Sequence, residues 1–375
     1  MFKSGKETKA LLLLGCYKIG FALLCVGLLF ASADQGWFNE SQFERVFQKW
    51  PLEGEANLAS YLTAWDGAHY LDLAKLGYRP GDSSCAFYPL WPHLVRWVAP
   101  LTGGNLVVAG LLLANLFSFV GALLFYRLAK LKVGESNARW ALAFLLAFPG
   151  ALFFQFIYSE ALFFMILMAF FLGLETKHYK AVAVAGLLLP LVRPVGIFAL
   201  APMAWALFQR REPFQRWLCL LGPVLGYGLY FVWMAAMTGN AMEGFDAQKN
   251  WSVNSAWNVF KPLKFIEAFL NPTSWHGYRA SMLDRCLFMV FASSLIVVWR
   301  LGGVWFVAAL AFGLLPAVLS SFTSYTRYMM MAYPMFVAMA LLTSETPKVR
   351  WAVLGVLGVL QVVLLGRYLN WYWAG

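Results

Sequence analysis

Apolar runs close to 20 residues long recur from one end of this chain to the other, and no other feature restricts its folding so strongly. A run of that length crosses the ~30 Å hydrocarbon layer of a bilayer as an α-helix. Inside that layer every backbone N–H and C=O has to be satisfied within the protein, which leaves helices and closed barrels as the spanning forms. Of 375 residues, 61% are hydrophobic and 13% charged, against about 25% charged in an ordinary soluble domain. The alternating pattern of a membrane β-barrel is absent. The sequence therefore reads as an all-α polytopic membrane protein whose residues 1–375 form a single domain.

About eleven spans are expected, near 11–32, 105–128, 138–157, 160–174, 181–193, 195–208, 217–238, 284–300, 303–321, 329–344 and 351–367. Pro190, Arg193 and Pro194 make the fifth and sixth a broken hairpin rather than two ideal helices. Alternate connections are basic. They hold Lys3, Lys6 and Lys9, then Arg127, Lys130, Lys132 and Arg139, then Lys177 and Lys180, then Arg210, Arg211 and Arg216, then Arg300, and finally Lys348 and Arg350, which is 15 of the 29 Lys and Arg residues. The positive-inside rule puts those connections and the N-terminus in the cytoplasm. It also accounts for the net charge of +11 as a topology signal, with no nucleic-acid partner implied.

The two long connections, 33–104 and 239–283, then lie on the extracytoplasmic side. Residues 60–78 have apolar positions at helical spacing. The stretch AFYPLWPHLVRWVAP is too short and too proline-rich for a span and reads as an interfacial helix. Lys3, Lys6 and Lys9 followed by an apolar run and "ASADQ" resemble a signal peptide, but the run from Leu11 to Phe30 is long enough to be a retained first span. Five cysteines without CxxC spacing and four scattered histidines give no disulfide framework and no metal cluster.

Against this greasy background a few polar residues stand out on the outer side. Asp66, in AWDGAHY, stands at the start of the first interfacial helix, where an aspartate also serves as a helix cap. Glu160 sits in a tight aromatic turn, at a depth where a carboxylate is costly without a partner or a task. Arg193 occupies the broken hairpin and Arg327 the start of the tenth span; either cation has the alternative of snorkelling to the interface. Trp65, His69, Tyr70, Tyr88, Gln248, Trp251 and Tyr328 complete the candidate substrate-binding set. Two carboxylates, two arginines and many aromatics suit transfer of a sugar from a lipid phosphate. A carboxylate takes the proton of an acceptor hydroxyl, arginines hold the phosphate leaving group, and aromatic faces stack on the sugar.

WDGAHY, FYPLWP, FPGALFFQFIYSEALFF, RPVG, QKNW and SYTRYMMMAYPMF occur here in the order found in PIG-V-type mannosyltransferases, and the chain resembles that family over roughly residues 60–345. The resemblance implies a GT-C glycosyltransferase fold. It also implies an essential acid in the first external loop, where Asp66 stands, and a polyprenyl-phosphate sugar donor, often of mannose, used with inversion. Eukaryotic members add a mannose during GPI-anchor assembly. Here Ala68 stands where many GT-C relatives have a second acid, so the paired-acid pattern of a divalent-metal site is missing. That departure, the short chain and Pro194 in RPVG point to a bacterial or archaeal cell-membrane homologue with a glycolipid or other external acceptor. A transporter or lipid flippase is the competing reading; it is disfavoured because no internal repeat is visible and the polar residues gather on one side.

Overall fold

The computed structural model describes residues 7–34, 43, 50, 58–251 and 256–375. The parts of the two long connections at 35–42, 44–49, 51–57 and 252–255 lie outside the described residues. The described chain is helical throughout its length and carries no named strand. Its main helices are α1 (Thr8–Asp34), α2 (Asp66–Leu76), α3 (Leu90–Val98), α4 (Leu106–Ala147), α5 (Glu160–Glu175), α6 (Tyr179–Val192), α7 (Leu221–Thr238), α8 (Met282–Leu301), the short α9 (Tyr325–Tyr328) and α10 (Pro347–Leu369).

Six helices among the described residues are long and apolar enough to cross a membrane: Thr8–Ser32, Leu106–Ala147, Phe214–Thr238, Met282–Leu301, Gly303–Ser320 and Pro347–Leu369. The protein is an integral membrane protein. α4 covers the expected span 105–128 and the first half of 138–157, and breaks between them at Gly134, whose φ is 75°. The other expected spans fall on shorter helices, among them α5, α6 and Pro334–Leu342. The broken hairpin is present: α6 contains Pro190 and ends at Val192, and a 3-10 turn, Pro194–Ala199, leads into the helix Leu200–Gln209.

α5 lies against α4, and α7 against α6. In the second pair Gly222 and Gly226, four residues apart, let the helices touch through their backbones. A Cβ at either would lie 2.4 Å or 2.1 Å from the carbonyl oxygens of Ala183 and Leu187. Small residues at that spacing substitute close van der Waals contact for a hydrophobic driving force that lipid does not supply. α3, nine residues long, cannot span a bilayer. It buries Trp91 and Val95 and exposes Trp97, the two-faced pattern of a helix lying along an interface.

The element that shapes the site is not a regular helix. After α4 the chain makes a 3-10 turn over Pro149–Phe154 and an irregular stretch up to α5, and residues 148–160 are all buried. Irregular backbone at such depth has to be satisfied by protein. Gln361 of α10 donates to the carbonyls of Leu146 and Phe148 at 2.8 and 2.9 Å, and Asn115 of α4 donates to that of Gln155 at 3.1 Å.

Candidate active site

Four charged side chains from four separate parts of the chain meet at the end of this buried stretch. Arg327 donates from Nη2 to Asp66 Oδ2 and to Glu160 Oε1, both at 2.6 Å, and from Nε to Glu160 Oε1 at 2.8 Å. Arg193 Nη1 lies 2.6 Å from the same Glu160 oxygen. The row Asp66–Arg327–Glu160–Arg193 has no net charge. Glu160 is 1% exposed, Arg327 4% and Arg193 9%, so neither arginine snorkels to a surface. Asp66 is the more open member, with 18% of its side chain accessible.

Local structure puts each group there. Glu160 is the first residue of α5 and Arg193 lies at the break after α6. α9 presents Arg327, and Gly150 makes that approach possible, since a Cβ there would lie 2.3 Å from the Thr326 carbonyl oxygen. Asp66 opens α2, but it is not the cap. The cap position falls on Trp65, with φ 59° and no side-chain cap bond, while the Asp66 carboxylate is turned to Arg327. A tryptophan in that backbone region is uncommon, and such conformations concentrate at functional sites.

Aromatic and hydroxyl groups line the row. Arg327 lies over the rings of Phe153 and Tyr158, at 5.1 and 4.9 Å, and Arg193 over Tyr328 at 5.2 Å. Tyr70 and Ser159 share a 2.7 Å hydrogen bond, and Arg193 donates to Ser159 Oγ at 3.3 Å. Burial works against the Arg327 charge, but Asp66 and Glu160 beside it outweigh that and hold its guanidinium well above its ordinary pKa. Glu160 Oε2 is buried with no hydrogen-bond partner. A buried carboxylate oxygen left unmet is rare and calls for an explanation.

The remaining expected residues go elsewhere. Trp65 packs edge-on against Trp373, 5.2 Å between centroids. His69 is buried, shares a 2.9 Å hydrogen bond with Ser84 and stacks on Phe87. Tyr88 stacks on Tyr230 at 4.2 Å and reaches the Tyr227 hydroxyl. Gln248 donates to the Ala86 carbonyl and the Trp251 indole to that of Ser83. His69, Tyr88, Gln248 and Trp251 thus fasten the two long connections to each other and to α7. The residues that the sequence reading missed, Phe153, Tyr158 and Ser159, all belong to the quoted FPGALFFQFIYSEALFF motif.

Among the described residues no three His, Cys, Asp or Glu side chains are grouped so as to hold a metal ion. The two carboxylates of the site are each engaged by an arginine.

A solved structure, the crystal structure of the Archaeoglobus fulgidus oligosaccharyltransferase complex with Zn and sulfate, aligns with 95% of this chain and 53% of its own at a TM-score of 0.47 and 12% identity. A curated relative, GPI mannosyltransferase 2 of Drosophila pseudoobscura pseudoobscura, is 32% identical over 114 residues. That match takes in 28% of this chain and spans about a quarter, 25%, of the relative's length. Residues 51–222, which include Asp66, Glu160 and Arg193, match the family described as Mannosyltransferase (PIG-V), the one that the motifs resemble.

Proposed function

We propose that this protein is a membrane glycosyltransferase of GT-C architecture. On this reading it moves mannose from a polyprenyl-phosphate donor to a hydroxyl of a lipid-linked or other acceptor on the extracytoplasmic side. The observation that carries the reading is the shared arginine: Arg327 bridges an accessible carboxylate, Asp66, and a buried one, Glu160. Arg193 and Arg327 hold the donor phosphate, and Glu160 keeps both guanidinium groups turned to one point. Asp66 accepts the proton of the acceptor hydroxyl as its oxygen attacks the anomeric carbon. The bond from that carbon to the phosphate oxygen breaks, the electron pair leaves on the lipid phosphate, and the arginines stabilise the charge. Attack opposite the leaving group inverts the centre.

The geometry also suggests an order of events. While Arg327 is bound to it, Asp66 has its Oδ2 occupied and is held toward the guanidinium rather than toward an acceptor. A donor phosphate competes for the same guanidinium and frees the carboxylate for the acceptor. The test is incubation of purified protein with polyprenyl-phosphate mannose and other polyprenyl-phosphate sugars, with mass spectrometry of extracted lipids. Asp66→Asn should still bind donor but turn over about 10²-fold or more slowly. A stable Asp66→Asn protein that transfers sugar at the normal rate would remove Asp66 from the chemistry.

A further inference from the structure

Arg327 stands on an improbable piece of backbone. Three of the preceding residues, Ser321, Phe322 and Ser324, have positive φ values of 50°, 66° and 57°, and none is a glycine. Such angles are uphill for residues with a Cβ and persist where the surroundings impose them. Several contacts from outside brace the turn, and one bracing group is on another helix.

That group is Asp284, in the first turn of α8, which is fully buried. Its Oδ1 accepts from the backbone N–H of Thr326 at 2.8 Å and from the Thr326 hydroxyl, so the residue before Arg327 is gripped through both backbone and side chain. On the other side the Thr326 carbonyl lies against Gly150. The start of α8 is itself tied down. Ser281 accepts from the Asp284 N–H at 3.2 Å and shares a 3.0 Å hydrogen bond with His276. Arg285 donates to the Ala268 and Phe269 carbonyls and lies over the Phe322 ring at 5.1 Å. Asp284 is not needed as the helix cap, because Ser281 already fills that place. Its second oxygen, Oδ2, is buried without a partner. A buried acid that is only half satisfied weighs against stability, so its presence needs a reason beyond holding α8 in place.

We infer that Asp284 is a positioning residue for the phosphate-binding arginine: by gripping Thr326 it fixes the turn that aims the Arg327 guanidinium between Asp66 and Glu160. This rests on the proposed role of Arg327. It assigns a task in the transfer reaction to a residue outside 51–222 and outside the motifs that resemble the family. It does not make Asp284 a proton carrier, since its distinctive contacts are to Thr326.

Five variants and two readouts, amide exchange and transfer kinetics, test the inference. In Asp284→Ala, amide hydrogen exchange of the segment 321–328 should accelerate without any donor present. The donor KM should rise about 10- to 100-fold, the range for a misplaced binding group, with a smaller change in kcat. Asp284→Asn, which keeps an acceptor oxygen, should restore slow exchange and most of the donor affinity. If Asp284→Ala does not fold, Thr326→Val decides in its place. It loses only the hydroxyl, and it should raise the donor KM severalfold, with rescue by Thr326→Ser. Unchanged exchange and unchanged donor KM in the variants that fold would overturn the inference. If Arg327→Ala raises the donor KM while Asp284→Ala and Thr326→Val do not, the positioning role alone falls. If Arg327→Ala leaves the donor KM unaltered, the phosphate reading fails first and takes the positioning role with it.

Discussion

Two sets of charge in this bundle, one a buried row and one a half-buried side chain, are satisfied differently. At the Asp66–Arg327–Glu160–Arg193 row every charge is met by an opposite charge. On α1, Lys18 donates to Asn115 Oδ1 at 3.0 Å, to Ser118 Oγ at 2.5 Å and to Gln155 Oε1 at 2.7 Å, all of them neutral. An ion pair can trade a partner for a ligand of like charge, as a carboxylate gives way to a phosphate. An ammonium that spends its three hydrogens on neutral oxygens of α4 and the irregular stretch has nothing to trade. We read the first as machinery and the second as a fastener that ties α1 to the segment leading into Glu160.

The contrast breaks most visibly at Glu160. Glu160→Ala leaves two buried guanidinium groups without their shared partner, and removing one member of a buried pair costs about 3–5 kcal/mol. The variant should melt well below wild type in detergent and transfer no sugar; a normal melting temperature would mean that the row is not held by charge. Next comes Arg327. Arg327→Ala should lose about 10²-fold or more in turnover, as removal of a group that stabilises developing charge does. Arg327→Lys should keep a part of it, since it retains the charge but not the planar fork. Equal and near-normal rates in the two would return Arg327 to a structural role.

Lys18→Met sharpens the comparison from the other side. Acceptors left unmet by it cost about 1–3 kcal/mol, so the melting temperature should fall while the turnover of the folded protein stays close to wild type. Loss of turnover at unchanged stability would make Lys18 part of the machinery after all. Smallest of all should be Gln248→Ala, which removes one hydrogen bond between the two long connections, worth about 0.5–1.5 kcal/mol. A large rise in donor KM there would make Gln248 a substrate-binding residue as well as a fastener.

The four members of the row were legible in the sequence because a charge in a chain this apolar has to be explained, and each lies beside a break in an apolar run. Aromatic and amide residues of the long connections gave no such signal. His69, Tyr88, Gln248 and Trp251 look the same in sequence whether they face a sugar or pack two loops together; in the structure they meet Ser84, Tyr230, Ala86 and Ser83. Asp284 carries no mark in the sequence, since its hold on Thr326 spans 42 positions. Lys18 was visible in principle as a cation inside a span. The expected spans fall largely on helices, but hydropathy alone does not distinguish a crossing helix from a buried irregular segment such as 148–159.

That segment also has a consequence for how the protein is made. The carbonyls of Leu146, in the last turn of α4, and Phe148, at the start of the segment, are satisfied by Gln361, more than 200 positions later in the chain. A nascent polypeptide halted before α10 has no donor for them, and lipid offers none. Inserted helices can assemble in any order around that gap, but the stretch cannot settle until α10 arrives. Residues 149–160, Glu160 among them, are therefore expected to settle only once α10 has docked, so the charged row would be completed late in biogenesis.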